Sequence, residues 1–272
     1  MHDWFAANRR TWDERVGIHL ADRTGFYAVD AVRAGIDHLG PIERAEIGEL
    51  RGLSLLHLQC HFGLDSLALA RRGAKVTALD FSPAAIAAAH DLARECELDV
   101  RFVEGNVYDT PDLVAGSFDR VFVTWGALCW LPDVARWARV VGRMLRPGGQ
   151  LYLAEGHPSI MPLEEREGRL EICHAWRIAS DKPLVIDETV TYTGDPQPMQ
   201  STRTYEWIHP LSSVIGGLLD AGLRLDWLHE HEIIPWRAFP MMVEAPQRMF
   251  RMPPGHPPLP LAYSLQATKV SG

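Results

Sequence analysis

No run of apolar residues in this 272-residue chain approaches the ~20 that cross a bilayer, and the opening MHDWFAANRR has no apolar signal core. Both absences point to a cytoplasmic protein with no membrane partner. A basic excess is missing too. Lys and Arg number 27 against 35 Asp and Glu, a formal net charge of -8 with a pI near 5.8. That balance argues against nucleic acid as a partner, since phosphate-binding domains carry a basic footprint; Arg71, Arg72 and Lys75 read as a solvated helix end. Cysteine is scarce and scattered. Cys60, Cys96, Cys129 and Cys173 include no CxxC pair, so neither a disulfide framework nor a zinc ribbon is indicated. No metal site is expected: His229 and His231 would share one strand face around Glu230, with no third ligand in view. Repeats are absent, and the one biased tract, Pro253 to Pro260, reads as a stiff connector.

The 47% hydrophobic content is ample for the core of one elaborated α/β domain. Its most informative stretch is Leu55 to Ser82, LLHLQCHFGLDSLALARRGAKVTALDFS. Four apolar residues lead into a turn closed by Gly63, a helical run follows over Asp65 to Arg72, and Lys75 to Leu79 forms a β-rich strand ending in Asp80. This is a nucleotide-binding βαβ unit. The acid stands where such folds place a carboxylate that accepts from ribose hydroxyls. Ser82 and Pro83 then cap and open an alanine-rich helix to Cys96, and Val100 to Glu104 reads as a third strand.

The segment resembles the first two strands of a class I, Rossmann-like S-adenosylmethionine (SAM) dependent methyltransferase. The resemblance continues through Phe118 to Thr124, Trp125 to Leu131, the helix-plus-turn run Ala138 to Gly149 and the strand Gln150 to Glu155, covering roughly Leu53 to His157. In that family the first loop carries an acid and alternating glycines. Here those positions are His57, Gln59, His61 and Gly63, and the variant HLQCHFG is similar to a bacterial subgroup. The resemblance implies a Rossmann-like, seven-stranded, mostly parallel sheet with helices on both faces, and SAM as cofactor with S-adenosylhomocysteine (SAH) as product. It further implies Asp80 at the ribose, Phe81 stacked on adenine, Asn106 accepting from the adenine amino group and Val107 offering a backbone N–H. Thr124 and Trp125 would stand at the ligand end of strand four. His57, Gln59 and His61 either contact the cofactor or pack at a strand end.

The expected organisation is an N-terminal helical arm over 1–50, a SAM-binding core over 51–157, a β-rich cap insertion over 158–210 and a C-terminal completion of the sheet over 211–272. The arm either docks on the sheet as an amphipathic helix or lies over the cofactor. In the cap, Glu171 to Ile178, Leu184 to Thr193 and Thr202 to Ile208 read as strands; helix Leu211 to Ala221 and an antiparallel edge pair, Leu223 to Glu232 with Leu261 to Lys269, follow. Trp176, Trp207, Trp236 and Phe239 suggest an apolar small-molecule pocket. Methyl transfer needs a base only when the nucleophile must lose a proton. His157 is the first candidate, with a structural hydrogen bond before Pro158 as the alternative, then Tyr192 and His209. The leading function is a small-molecule methyltransferase, monomeric or homodimeric. Other SAM-consuming chemistry releasing methylthioadenosine and a non-catalytic SAM or SAH module are the alternatives. A nicotinamide dehydrogenase is disfavoured, because its pyrophosphate turn needs the missing glycines.

Overall fold

The structure, a computed structural model, describes residues 4–270; the first three residues of the arm and the last two of the C-terminal segment lie outside it. The arm supplies α1 (Trp4–Ala21), α2 (Val29–Arg33) and α3 (Pro41–Glu46). There follow β1 (Ser54–Leu58), α4 (Leu64–Arg71), β2 (Lys75–Asp80), α5 (Pro83–Glu95), β3 (Val100–Glu104), α6 (Thr110–Leu113), β4 (Phe118–Thr124), α7 (Val134–Met144) and β5 (Leu145–Gly156). Beyond these come β6 (Leu163–Arg166), β7 (Arg169–Ile172), β8 (Leu184–Asp187), β9 (Arg203–Glu206), α8 (Leu211–Asp220), β10 (Leu223–His231), β11 (Val243–Ala245), β12 (Met249–Arg251) and β13 (Ala262–Lys269).

The central sheet runs β10-β13-β5-β4-β1-β2-β3, parallel except for β13, which is antiparallel to both its neighbours. This is the Rossmann-like architecture expected. Alternation along β1 explains the two layers. Leu55 joins the core under α4, α5 and the arm, whereas Leu56 and Leu58 join the core under α7 and α8. The chain leaves β1 toward α4 and returns in β2, so all parallel strands aim their carboxyl ends at one edge, where β-to-α turns gather. Ser82 caps α5 as expected, its hydroxyl accepting from Ala85 N at 3.0 Å.

Four elements differ from the sequence reading, one of them the strand expected over Leu184 to Thr193, which ends at Asp187. Helix α7 begins earlier, capped by Asp133, and ends at Met144, with Leu145 already paired to Phe118 in the sheet. Pro147 lacks the N–H a longer helix would need. The strand expected over Glu171 to Ile178 stops at Ile172. A turn at Glu167–Gly168, both at positive φ, folds it back on β6 instead. Residues 233–252, for which the sequence suggested pocket aromatics but no strand, hold the β11–β12 hairpin.

Candidate functional site

A cavity of about 430 Å³ opens at the carboxyl ends of β1 to β4, walled by α1, the β8–β9 segment and the β11–β12 turn. His57, Gln59, His61, Gly63, Asp80, Phe81, Asn106, Val107, Thr124 and Trp125 all line it, as do Tyr192 and His209.

The β1 turn takes a left-handed path at Gln59 (φ 58°), His61 (φ 50°) and Gly63 (φ 84°). Only the third position demands glycine on packing grounds as well: a Cβ there would meet the Phe102 ring at 2.9 Å. The other two side chains are tied down. Gln59 Nε2 donates to Ala127 O at 2.7 Å, and His61 Nε2 lies 2.8 Å from His19 Nδ1. His57 points away from the turn. Its Nδ1 pairs with Ser66 Oγ at 2.8 Å, its ring packs edge-on to Phe122, and burial lowers its pKa to about 4, the behaviour of a packing residue.

Asp80 sits 6% exposed at the end of β2. Its Oδ2 accepts from His61 N at 2.8 Å and its Oδ1 from Ser82 N at 2.9 Å. Burial outweighs these donors and pushes its pKa up to about 6. Asn106 is partly committed: its Oδ1 accepts from Tyr108 N at 3.0 Å, capping the short turn Val107–Asp109, so one lone pair of the amide oxygen remains for a ligand.

Trp125 adopts φ 49° and donates from Nε1 to Glu43 Oε1 at 2.6 Å, its ring 6.2 Å from that of Trp236. The next two amides, Gly126 N and Ala127 N, donate to the Glu155 carboxylate at 3.2 and 2.6 Å. Burial raises Glu155 to about 7. Thr124 Oγ1 donates to Asp65 Oδ2 at 3.1 Å, and His38 Nδ1 donates to Asp65 Oδ1 at 2.6 Å.

His157 is not part of the cavity lining. Its backbone N–H continues the pairing to β13 through Leu261 O, its Nδ1 accepts from Ser159 N at 3.1 Å, and its Nε2 lies 3.1 Å from Glu230 Oε1. The expected base is therefore a structural residue that closes the end of β5. His209 lines the cavity but spends Nε2 on Leu131 O at 2.7 Å. Tyr192 pairs its hydroxyl with that of Tyr27. Of the four aromatic residues expected around the pocket, Trp207 and Trp236 line it, Phe239 is buried in a separate core cluster and Trp176 is 61% exposed. His229 and His231 share one face as expected and both approach Glu46, at 2.8 and 3.8 Å.

The sequence reading missed Arg15, His19, His38, Glu43, Asp65 and Glu155 as site residues. One signal was available: Trp12, Arg15 and His19 stand at helical spacing, so α1 presents them on one face. Arg15, 2% exposed, pairs with Glu188 at 3.3 Å and lies over the rings of Trp12 (5.0 Å) and Tyr192 (5.7 Å). Among the described residues no helix is long and apolar enough to cross a membrane, and no group of three or more His, Cys, Asp or Glu could hold a metal ion.

Residues 56–153 match the family model described as "Methyltransferase domain". A "Ubiquinone biosynthesis O-methyltransferase" of Xanthomonas oryzae pv. oryzae is 37% identical over 143 residues, which is 50% of this chain and 56% of that protein. The chain therefore spans little more than half the length of this curated relative. An S-adenosylmethionine dependent methyltransferase from Mesorhizobium loti superposes with a TM-score of 0.57 at 19% identity, over 84% of this chain and 96% of its own. Magnesium protoporphyrin IX methyltransferase from Synechocystis PCC 6803, solved with bound SAH, superposes with a TM-score of 0.51 at 14% identity, over 96% and 97%. At such identities the structural likeness is one of fold. The chain thus carries, over residues 56–153, a match to the methyltransferase domain, set in the fold of class I SAM-dependent methyltransferases.

Proposed function

We propose that this protein is a SAM-dependent methyltransferase acting on a small-molecule acceptor. The observation that carries the reading is the β1 turn: it takes a left-handed path at Gln59, His61 and Gly63, where such a cofactor loop has glycines, beside a buried Asp80 whose oxygens receive the backbone N–H groups of His61 and Ser82. The carboxylate keeps lone pairs for hydroxyls, which is the acceptor set a ribose diol needs. When bound, the cofactor supplies a methyl group on a positively charged sulfur, to be displaced in line with release of SAH.

The chain's residues do the positioning. Asp80 accepts from the ribose. Phe81 stacks on the adenine, Val107 offers its N–H, and Asn106 offers the remaining lone pair of its amide oxygen. Gln59, His61, Thr124 and Trp125 flank the methionine end, with His57 behind them as packing support. Trp125 presents a negative ring face near a sulfonium. Arm and cap exclude water, which strengthens each polar contact inside. The acidic surface favours a metabolite over nucleic acid as acceptor, and the O-methyltransferase name of the Xanthomonas relative suggests an oxygen acceptor.

Calorimetric titration with SAH tests the reading. One-site binding in the micromolar range or tighter is expected. No binding of SAH or SAM removes the cofactor from the site, and release of methylthioadenosine from SAM without any acceptor replaces methyl transfer with another SAM reaction.

A further inference from the structure

Methylation of a neutral hydroxyl releases a proton, and the imidazoles of the site are unequally placed to take it. His19 uses both ring nitrogens, on His61 and on Thr191 Oγ1 at 2.7 Å, and His61 spends Nε2 on His19 while burial and the neighbouring His19 and Arg15 hold its pKa well below the usual imidazole value. His57 is held by Ser66 and His209 by Leu131 O, and His157 faces Glu230 away from the cavity. Glu155 spends each oxygen on a backbone N–H.

His38 is different. It lines the cavity, and its Nδ1 donates to Asp65 Oδ1 at 2.6 Å, while Asp65 Oδ2 accepts from Thr124 Oγ1 at 3.1 Å. A carboxylate on Nδ1–H fixes the tautomer and leaves the lone pair on Nε2. Nε2 has no hydrogen-bond partner among the described residues, and the His38 side chain borders the cavity.

We infer that His38, oriented by Asp65, is the proton acceptor for a hydroxyl-bearing, aromatic methyl acceptor bound in this cavity; the inference rests on the methyltransferase reading above. The acceptor oxygen forms its new bond to the methyl carbon as the carbon–sulfur bond breaks, with that electron pair staying on sulfur. The hydroxyl proton passes to His38 Nε2. The imidazolium formed is balanced by Asp65, which burial pushes up but which the hydrogen bond and charge of His38 hold below the usual carboxylate range.

Other charged groups surround the dyad. Buried Glu43 on α3 is close enough to Asp65 to be raised by it, after burial itself. Arg248 in the β11–β12 turn donates to the His38 carbonyl at 3.2 Å, and Asp37, next in the chain, is occupied by Arg72 at 2.6 Å. The aromatic character of the acceptor follows from the walls, to which Trp12, Trp125, Trp130, Tyr192 and Trp236 contribute rings.

The test uses 4-nitrocatechol, whose ionisation is visible in its absorbance, with wild type, His38→Gln and Asp65→Asn, each with SAH for binding and SAM for turnover. In wild type the SAH-bound protein is expected to ionise the probe at lower pH than water does. In His38→Gln that shift is lost, and methylation at a pH well below the probe's own pKa falls at least tenfold but recovers toward wild type at a pH where the free probe is already ionised. Asp65→Asn loses part of both, and SAH affinity stays within about twofold throughout. The proposal is overturned if the probe's ionisation is unchanged by wild type or identical in His38→Gln, if wild type fails to methylate it, or if His38→Gln lowers SAH affinity tenfold, which makes His38 a cofactor ligand. Failure of wild type to bind SAH at all is a separate result and removes both readings.

Discussion

If Asp80 receives two ribose hydroxyls, cofactor affinity should titrate with this one carboxylate. The folded protein raises its pKa to about 6, chiefly by burial, so the site holds a proton at pH 5 that it has released by pH 7. The ionised fraction climbs from roughly one in eleven to roughly ten in eleven, a factor of about 10 in binding constant or about 1.4 kcal/mol. Calorimetry with SAH at pH 5, 6, 7 and 8 reads the slope directly. In Asp80→Asn that slope should vanish, and affinity at pH 7 should fall by about 1–3 kcal/mol, because the amide leaves one hydroxyl without its acceptor. The variant also controls for titration of the ligand and of other residues. A wild-type affinity that is flat from pH 5 to 8, or a slope that survives in Asp80→Asn, refutes the assignment of Asp80 to the ribose.

Two further predictions concern the scaffold. His57 is buried and its pKa is lowered from 6.5 to about 4, so the stability it contributes is present above pH 6.5 and lost as pH falls toward 4; His57→Asn should reduce the acid sensitivity of urea unfolding by about 3 kcal/mol. Gly142 on α7 meets Ala221 O of the α8 end, where an added Cβ would lie at 2.7 Å, whereas Gly216 on α8 has nothing within 4 Å. Gly142→Ala should therefore destabilise by about 1–2 kcal/mol after its helix-propensity gain. Gly216→Ala should stabilise by about 0.5–1 kcal/mol, and equal effects in a denaturation assay would contradict the packing argument.

Much of the fold was legible because the parallel strands are short apolar runs broken by strong turn and cap signals. Ser82–Pro83 opens α5, and Asp80 ends β2, each at the residue expected. What escaped was set by contacts distant in sequence. Strands β6 and β7 have no buried residue and carry several charges, so no alternation marks them; a two-residue turn creates them. The site shows the same division. Residues at strand ends could be placed from the sheet alone. His38 and Glu43 reach the cavity only because the arm folds across α4 and the β4 turn, and their chemistry depends on Asp65 and Trp125, 27 and 82 residues away.

The β1 turn keeps its left-handed path without the glycine pattern. Holding Gln59 and His61 in left-handed backbone costs on the order of 1–3 kcal/mol each, and glycine would relieve it, yet glycine supplies no side chain. Gln59 fastens the turn to Ala127, whose N–H is fixed by Glu155 at the end of β5. His61 fastens it to Asp80 through its N–H and to His19 of the arm through its ring. The ends of β1, β2 and β5, the turn after β4 and the helix above the cavity are thus joined by the two residues that replace glycines. In a glycine-rich turn the backbone is free to follow a bound ligand. Here the side chains hold the path before any ligand arrives, so strain in the turn is exchanged for a pre-organised site and a seated arm.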